Sequence, residues 1–142
     1  MTEAEQRARV VAIAREWVGT RYVHQARIKG KAADCTFVAK VYEEAGLVPE
    51  VIIPTYSPQA HLNRSAAAYM AIVTRVAREI EQAAVQPGDL VLFNIARTFS
   101  HGAIVVDWPT VIHADLGARA VIEALGDQGN LDVRERKFFT LW

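Results

Sequence analysis

The chain has 142 residues, of which 51% are hydrophobic and 23% charged, and sixteen basic side chains balance sixteen acidic ones. This composition is that of an ordinary globular domain, and it lacks the basic excess typical of nucleic-acid-binding proteins. A single cysteine excludes an internal disulfide, and no apolar run approaches the roughly 20 residues of a membrane-spanning helix. We expect one domain over residues 1–142, made in the cytoplasm without a signal peptide because its start, MTEAEQRARVVAIARE, is charged.

The N-terminal segment has the periodicity of an amphipathic helix. Its apolar side chains recur at the i, i+3, i+4, i+7 spacing: Val10, Ile13, Ala14 and Trp17. Gly19 and Thr20 end the pattern, and the polar, irregular residues 20–34 that follow predict a loop.

A second helix is predicted from the stretch ADCTFVAKVYEEAG, residues 33–46. Asp34 is a favoured N-cap residue, and Gly46 is a favoured stop at the other end. The apolar stripe between them consists of Val38, Val41, Tyr42 and Ala45. The only cysteine, Cys35, would be the first or second residue of this helix.

The pattern changes from helical to strand-like in the second half of the chain. A third helix is predicted from a Ser57 cap and Pro58, with apolar residues at helical spacing as far as Ile80. After the turn signal QPGD, residues 86–89, come five runs rich in β-formers: LVLFNI, GAIVVD, TVIHA, RAVIEAL and ERKFFTLW. This segregation predicts an α+β domain with a mostly antiparallel sheet of about five to six strands.

Cys35 stands where position alone can make a thiol reactive. Near a helix start, unpaired N–H groups and the positive end of the helix dipole favour the thiolate, which is the nucleophilic form. The same N–H groups could stabilise an oxyanion formed after attack on a carbonyl. The alternative role of a lone cysteine is that of a small buried hydrophobe.

Two histidines fall at the ends of neighbouring predicted strands. His101 begins the run in SHGAIVVD and His113 ends the run in TVIHAD, with DWPT as the turn between them. We expect the two imidazoles at one edge of the sheet, where His101 would accept the proton of the Cys35 thiol and His113 would orient the His101 ring. Histidines that simply satisfy backbone groups, or a zinc site built from the same three side chains, are the alternatives.

Several segments together resemble the NlpC-type family of cell-wall cysteine peptidases, from about Val10 to the C-terminus: REWVGTRY, the DC pair, QPGDLVLF, SHGAIVVD and VIHADLGARAVIEAL. The resemblance implies a papain-like fold and hydrolysis of peptidoglycan stem peptides, often between D-glutamate and a diamino acid. It implies Cys35 as nucleophile, His101 as base, His113 as orienting residue and Tyr22 as the tyrosine beside the nucleophile, and it implies no cofactor.

The RYVHQ and QPGDLVLF stretches also resemble a subgroup carried by phage tails and prophage-like gene clusters. That implies phage tail proteins as partners and action at the bacterial cell wall. The chain departs from the family in two respects. The loop from His24 to Ala33 lacks the usual glycine-rich composition and carries Arg27, Lys29 and Lys31, and Thr36-Phe37 follows the Asp-Cys pair where Ser-Gly is usual. A phenylalanine there would crowd the cleft, so a wall-binding or tail-assembly module with an idle site is an alternative, as is an amidase or acyltransferase. We also expect residues 50–65 to border the cleft, where His61 would be either a substrate contact or a residue on a helix face.

Overall fold

The computed structural model describes residues 1–50, 71, 73, 75–95 and 97–142. These residues form two α-helices, α1 (Glu3–Trp17) and α2 (Phe37–Glu44), with further helical positions at 71, 73, 75 and 76. The strands are β1 (Arg27–Ile28), β2 (Ala32–Ala33), β3 (Arg78–Ile80), β4 (Leu90–Ile95), β5 (Thr98–Asp107), β6 (Thr110–Asp115), β7 (Ala120–Leu125) and β8 (Arg136–Thr140).

The last six strands form one antiparallel sheet with the order β3-β8-β4-β5-β6-β7. Consecutive strands from β4 to β7 are neighbours, as short turns such as Trp108-Pro109 allow. The structure confirms the predicted α+β class and the mostly antiparallel sheet. Among the described residues, no helix has the length and hydropathy that a bilayer crossing requires.

Helix α1 forms where the sequence predicts it. Thr2 caps its first turn and pairs with Glu5 in a reciprocal capping box, which satisfies backbone N–H groups that the helix itself leaves unpaired. The helix buries the predicted stripe, with Val10, Ala14 and Trp17 at most 1% exposed. That stripe packs on α2 and on β5, so the two helices cover one face of the sheet.

Both faces of the central strands are buried, which explains their uninterrupted apolar runs. Leu92 of β4 and Ile104 of β5 point into the cluster that contains α1 and α2. Their neighbours Val91 and Val105 point to the opposite face, where Trp108 and short connecting segments cover them.

The predicted third helix does not extend to Ile80. The Ala77 amide closes the last helical hydrogen bond, to Val73, and Arg78–Ile80 then pair with β8 as strand β3. Sheet pairing therefore overrides the helical spacing at this end. The beginning of that helix, from Ser57 onward, and the segment 51–65 that we expected beside the cleft lie outside the described residues.

A second difference is in the predicted loop at residues 20–34, which contains the small β1–β2 hairpin. Strands of two residues carry no alternation that a sequence pattern could reveal. The hairpin positions the residues just before the cysteine, because the Asp34 amide donates to the Ala26 carbonyl at 3.0 Å.

Candidate active site

The thiol lies in a turn just ahead of α2, so the prediction that Asp34 caps the helix and that Cys35 belongs to its first turn was wrong. The helix begins at Phe37, with Thr36 in the capping position. The reason is local: the Asp34 carboxylate accepts hydrogen bonds from both the backbone N–H and the hydroxyl of Thr36. This side-chain turn delays the helix by about two residues.

The Cys35 sulfur lies against the backbone of β5. Its thiol donates to the Ser100 carbonyl at 3.6 Å, and the backbone N–H groups of Gly102 and of Cys35 itself point at the sulfur. The Ser100 carbonyl and the Gly102 amide belong to the two residues that flank His101. Strand β5 therefore brings the predicted nucleophile and the backbone of the predicted base together, although they are far apart in sequence.

The two predicted histidines are in direct contact. His101 Nε2 and His113 Nδ1 are 2.8 Å apart, and the rings meet edge to face. The strand register explains this contact, because His113 pairs with Ala103, two residues along β5 from His101. The rings therefore meet diagonally rather than directly opposite each other, which is within reach of side chains of this size.

This contact leaves one nitrogen of His101 available for chemistry at the thiol. If His101 carries its proton on Nε2 and donates it to His113, then Nδ1 is free to accept another. Among the described residues, the thiol forms its hydrogen bond with the Ser100 carbonyl and none with either imidazole. In enzymes without substrate, such catalytic hydrogen bonds are often long and shorten when substrate binds.

The ionisable groups of the site are held in their neutral forms. Burial, reinforced by the negative charge of Asp34, raises the pKa of the Cys35 thiol to about 12. Burial, together with the charges of His113 and Arg134, lowers the pKa of His101 to about 3. Burial also lowers the pKa of His113, although Asp115 opposes that shift. These pKa shifts favour a thiol beside two neutral imidazoles over a thiolate–imidazolium pair, and they act on Cys35 and His101 side chains that are only half-buried.

Tyr22 lies near enough to the thiol for the charge of Cys35 to act on its phenol, which is where the family resemblance implies a tyrosine. Its backbone is fixed by the Arg119 carbonyl on one side and by a bridge to Ala33 on the other. Burial, then the charges of Cys35 and Asp34, raises the pKa of its phenol to about 12. The hydroxyl consequently stays protonated at neutral pH and can donate a hydrogen bond near the sulfur.

Phe37 does not occupy the cleft. Its side chain is fully buried in the hydrophobic core, where its ring packs against Trp17 at a centroid distance of 5.5 Å. The crowding that we expected from a phenylalanine in place of glycine is avoided because the ring points inward, beneath the turn that carries Cys35.

The arrangement does not favour the zinc alternative. Two imidazole nitrogens on one tetrahedral zinc ion lie about 3.3 Å apart, given zinc–nitrogen bonds of about 2.0–2.1 Å. His101 Nε2 and His113 Nδ1 are closer than that and face each other. Within the described ranges, no three His, Cys, Asp or Glu side chains are grouped as metal ligands would be.

The structure also brings to the sulfur two groups that the sequence did not assign to the site. The guanidinium of Arg27, on β1, donates to the Thr36 hydroxyl at 2.9 Å, and its charge acts on Cys35. The Gly102 amide is a further addition. Neither could be recognised from spacing, because the hairpin and the β5 register bring them to the sulfur. Of the other histidines, His24 lies next to Gln25 on the hairpin side, and His61 lies outside the described residues.

Known proteins share this architecture. The NlpC/p60 domain of the peptidoglycan hydrolase SagA has a TM-score of 0.65 and 18% identity, with 92% of this chain and 96% of that one covered. The peptidoglycan hydrolase RipB from Mycobacterium tuberculosis gives 0.64 and 15%, covering 99% and 68%. RipD from the same organism, a non-catalytic NlpC/p60 domain protein adapted to peptidoglycan binding, gives 0.63 and 13%, covering 96% and 98%.

These similarities confirm the predicted papain-like α+β fold. A search of curated protein sequences finds no significant match. The sequence profile of the NlpC/P60 family matches residues 19–132, a range that includes Cys35, His101 and His113. Because this match spans most of the chain, the protein belongs to the NlpC/P60 family.

Proposed function

We propose that this protein is a cysteine peptidase that hydrolyses peptide bonds in the stem peptides of bacterial peptidoglycan. One observation carries the proposal: the Cys35 sulfur lies against the backbone on both sides of His101, whose ring is in turn bonded to His113. A nucleophile, a base and a group that orients the base are the parts that thiol hydrolysis requires. Family membership supports the substrate class.

The neutral resting state determines how acylation would begin. Transferring the thiol proton to His101 before attack is unfavourable, since burial raises the pKa of the thiol and lowers that of the imidazole. We therefore propose that the proton moves from Cys35 to His101 as the carbon–sulfur bond forms. The backbone N–H groups near the sulfur and the Tyr22 hydroxyl are candidate donors to the developing oxyanion.

The remaining steps follow from the same three side chains. His101, now protonated, gives its proton to the leaving amine, and a thioester links the acyl group to Cys35. His101 then takes a proton from water, which attacks the thioester. The carbon–sulfur bond breaks, the acid product leaves, and His101 returns the proton to the Cys35 sulfur, which restores the thiol and the neutral imidazole. His113 holds the His101 ring in the tautomer that leaves Nδ1 free, so its role is positioning.

Digestion of purified peptidoglycan or synthetic stem peptides, followed by product analysis, tests this proposal. We expect peptide cleavage by the native protein, none by Cys35→Ala and a loss of at least about a hundredfold in His101→Ala. Lys31→Gln, a change at an exposed residue of the β1–β2 hairpin, serves as the matched control and should retain full activity. Equal product from native protein and Cys35→Ala would contradict the assignment.

The bond between D-glutamate and the diamino acid is the one that we propose is cut. Mass spectrometry of the released fragments identifies the new termini directly. A transferred acyl group in the presence of an added amine, in place of a free acid, would instead indicate the acyltransferase alternative. Release of an amide nitrogen with the peptide chain intact would indicate an amidase.

A second candidate function is a peptidoglycan-binding module without peptidase activity. The high thiol pKa favours it, because a thiol that stays protonated is a poor nucleophile. The non-catalytic relative RipD has the same fold. Phe37, in contrast, no longer supports this candidate, since it lies in the core. Binding of insoluble peptidoglycan without release of any peptide would favour the module over the enzyme.

We further propose that the protein acts at the cell wall in association with phage tail proteins. The support is the resemblance of the RYVHQ and QPGDLVLF stretches to the phage-tail subgroup. Purified tail particles from a lysogen that encodes this chain provide the test. Immunodetection of the chain in the particles is expected, and its complete recovery outside them would contradict the association.

A further inference from the structure

Arg27 is placed beside the thiol by the β1–β2 hairpin. It pairs with Ala33 across the hairpin, one residue before Asp34 and two before Cys35. Its guanidinium crosses to the Thr36 hydroxyl at 2.9 Å, and its positive charge acts on the sulfur. A cation therefore borders the place where a bound peptide would meet the nucleophile.

The surroundings of Arg27 differ from those of every comparable cation that the structure describes. The other buried or half-buried cations lie against carboxylates or aromatic rings: Arg7, Lys40, Arg136 and Lys137. Arg27 is half-buried, yet among the described residues it forms no ion pair and lies over no aromatic ring. One of its five N–H donors is used by Thr36, which leaves others for a further acceptor.

No residue of this chain supplies the missing carboxylate. All sixteen acidic residues fall within the described ranges, since 51–70, 72, 74 and 96 contain neither Asp nor Glu. The acidic neighbour Asp34 is committed elsewhere, because its oxygens accept from the Gln25 amide and from Thr36. The nearby Lys29 shows the contrast, as it pairs with both Glu16 and Glu44.

We propose that Arg27 is a specificity-determining residue that binds a free carboxylate of the substrate peptide next to the bond being cleaved. This inference rests on the proposed function, because stem peptides carry free carboxylates at D-glutamate and at the diamino acid. A guanidinium matches a carboxylate with two parallel N–H···O bonds, whereas a carboxamide at the same position cannot accept both.

The test compares stem peptides that differ only in having one carboxylate replaced by a carboxamide, at D-glutamate in one and at the diamino acid in the other. Binding is measured by calorimetry to the 142-residue chain carrying Cys35→Ala, which cannot form an acyl-enzyme. We expect one of the two amidations to weaken binding about tenfold, as the loss of a charge-assisted hydrogen bond does. The position that matters identifies the carboxylate.

Adding Arg27→Gln to Cys35→Ala should remove this preference, so that free and amidated peptides bind equally weakly. Arg27→Lys should keep part of the preference, because the charge remains and the paired geometry is lost. Lys31→Gln, which removes a cation from the exposed end of the same hairpin, should leave the preference intact. Melting temperatures of all variants establish that each protein is folded.

Equal binding of free and amidated peptides to Cys35→Ala would overturn the role of Arg27, and so would a preference that survives Arg27→Gln. The absence of any detectable binding would overturn it too. The proposed function fails separately: it fails if the native protein cleaves none of the peptides, even where binding depends on the carboxylate. Cleavage of all peptides with equal efficiency would leave the peptidase function standing and would remove Arg27 from it.

Discussion

Two polar clusters of this protein are built on opposite principles. Between α1 and the sheet, Arg7 and Asp89 form a buried ion pair at 2.9 Å, with side chains 9% and 1% exposed. Three further contacts satisfy the Arg7 guanidinium. The Pro87 carbonyl and the Thr140 hydroxyl accept hydrogen bonds from it, and the Trp142 ring lies over it. Around Cys35, burial instead keeps the thiol and both imidazoles uncharged.

This difference suits the Arg7 cluster to stabilising the fold and the Cys35 site to binding a ligand. The Arg7 cluster has all its charges compensated, so it holds α1 to the start of β4 and has nothing left to offer a ligand. Among the described residues, the Cys35 site has a His101 ring nitrogen, Nδ1, that forms no hydrogen bond, a thiol with a raised pKa and an arginine that forms no ion pair. Uncompensated groups of this kind are where a substrate can contribute interactions that the fold itself lacks.

The largest expected effect is in the compensated cluster. Arg7→Ala should lower the free energy of unfolding by about 3–5 kcal/mol, because it leaves the Asp89 carboxylate buried without its partner. Urea denaturation measures the change. Glu3→Gln is the matched control: Glu3 is the exposed partner of the same arginine, and its loss should cost about 0–1 kcal/mol. Equal losses in the two variants would contradict the distinction between the clusters.

A pH titration of stability should expose the neutral imidazoles. His101 has a pKa of about 3 when folded, whereas the unfolded chain binds its proton near the ordinary value of 6.5. Below that value the unfolded state binds more protons, so stability is full above about pH 6.5 and is lost as the pH falls toward 3. One such group contributes a slope of about 1.4 kcal/mol per pH unit.

His101→Gln should make stability fall less steeply with decreasing pH. The fall should not disappear, because the lowered pKa of His113 still contributes to it. Thermal melts between pH 4 and pH 8 provide the measurement. A native protein whose melting temperature is the same at pH 4 and pH 7 would contradict the burial of a neutral His101.

The alkylation rate of Cys35 should differ less between the folded and unfolded chains at any single pH, but it should show a clear dependence on pH. With a pKa of about 12, Cys35 should react with iodoacetamide more slowly at pH 7 than it does in the urea-unfolded chain. Its rate should go on rising about tenfold per pH unit beyond pH 9, where the unfolded thiol levels off. Rapid labelling at pH 7 with a plateau below pH 9 would show a thiolate stabilised in the folded state.

The smallest effect is expected at Tyr22. Tyr22→Phe removes a single hydroxyl that stays protonated, so kcat/KM for stem peptides should fall up to about tenfold, as for the loss of one neutral hydrogen bond. The free energy of unfolding should change by less than about 1 kcal/mol. Tyr42→Phe is a useful comparison, because the Tyr42 hydroxyl bonds to the Gly88 carbonyl in the core and should affect stability instead of activity.

The sequence predicts the long, periodic parts of this fold and misses the short ones. Helix α1 and strands β4 to β8 follow from apolar spacing over five or more residues, which is a signal that packing seldom overrides. The β1–β2 hairpin has two residues in each strand and gives no such signal. At Ile80 the helical spacing is misleading because pairing with β8 determines the structure.

Within the site, the order of the residues in the chain predicts the contact between His101 and His113, since a short turn makes β5 and β6 neighbours. It does not predict the state of the thiol. The expectation of a helix-start thiolate failed to include the Asp34 turn, which delays the helix and adds a negative charge beside the sulfur. The role that we propose for Arg27 depends on its lack of an ion pair among the described residues. The spacing of charged residues in a sequence does not predict which of them pair in the fold.

The contact between Trp17 and Phe37 connects the Cys35 turn to the interior of the protein. Phe37 is two residues from Cys35 and fully buried, so the turn that holds the sulfur is anchored on the end of α1. Replacing Trp17 with a smaller residue would leave a cavity under that turn, and the backbone could shift into it. Screens for lost activity should therefore recover substitutions at Trp17, which is only 1% exposed, alongside those at Cys35 and the two histidines.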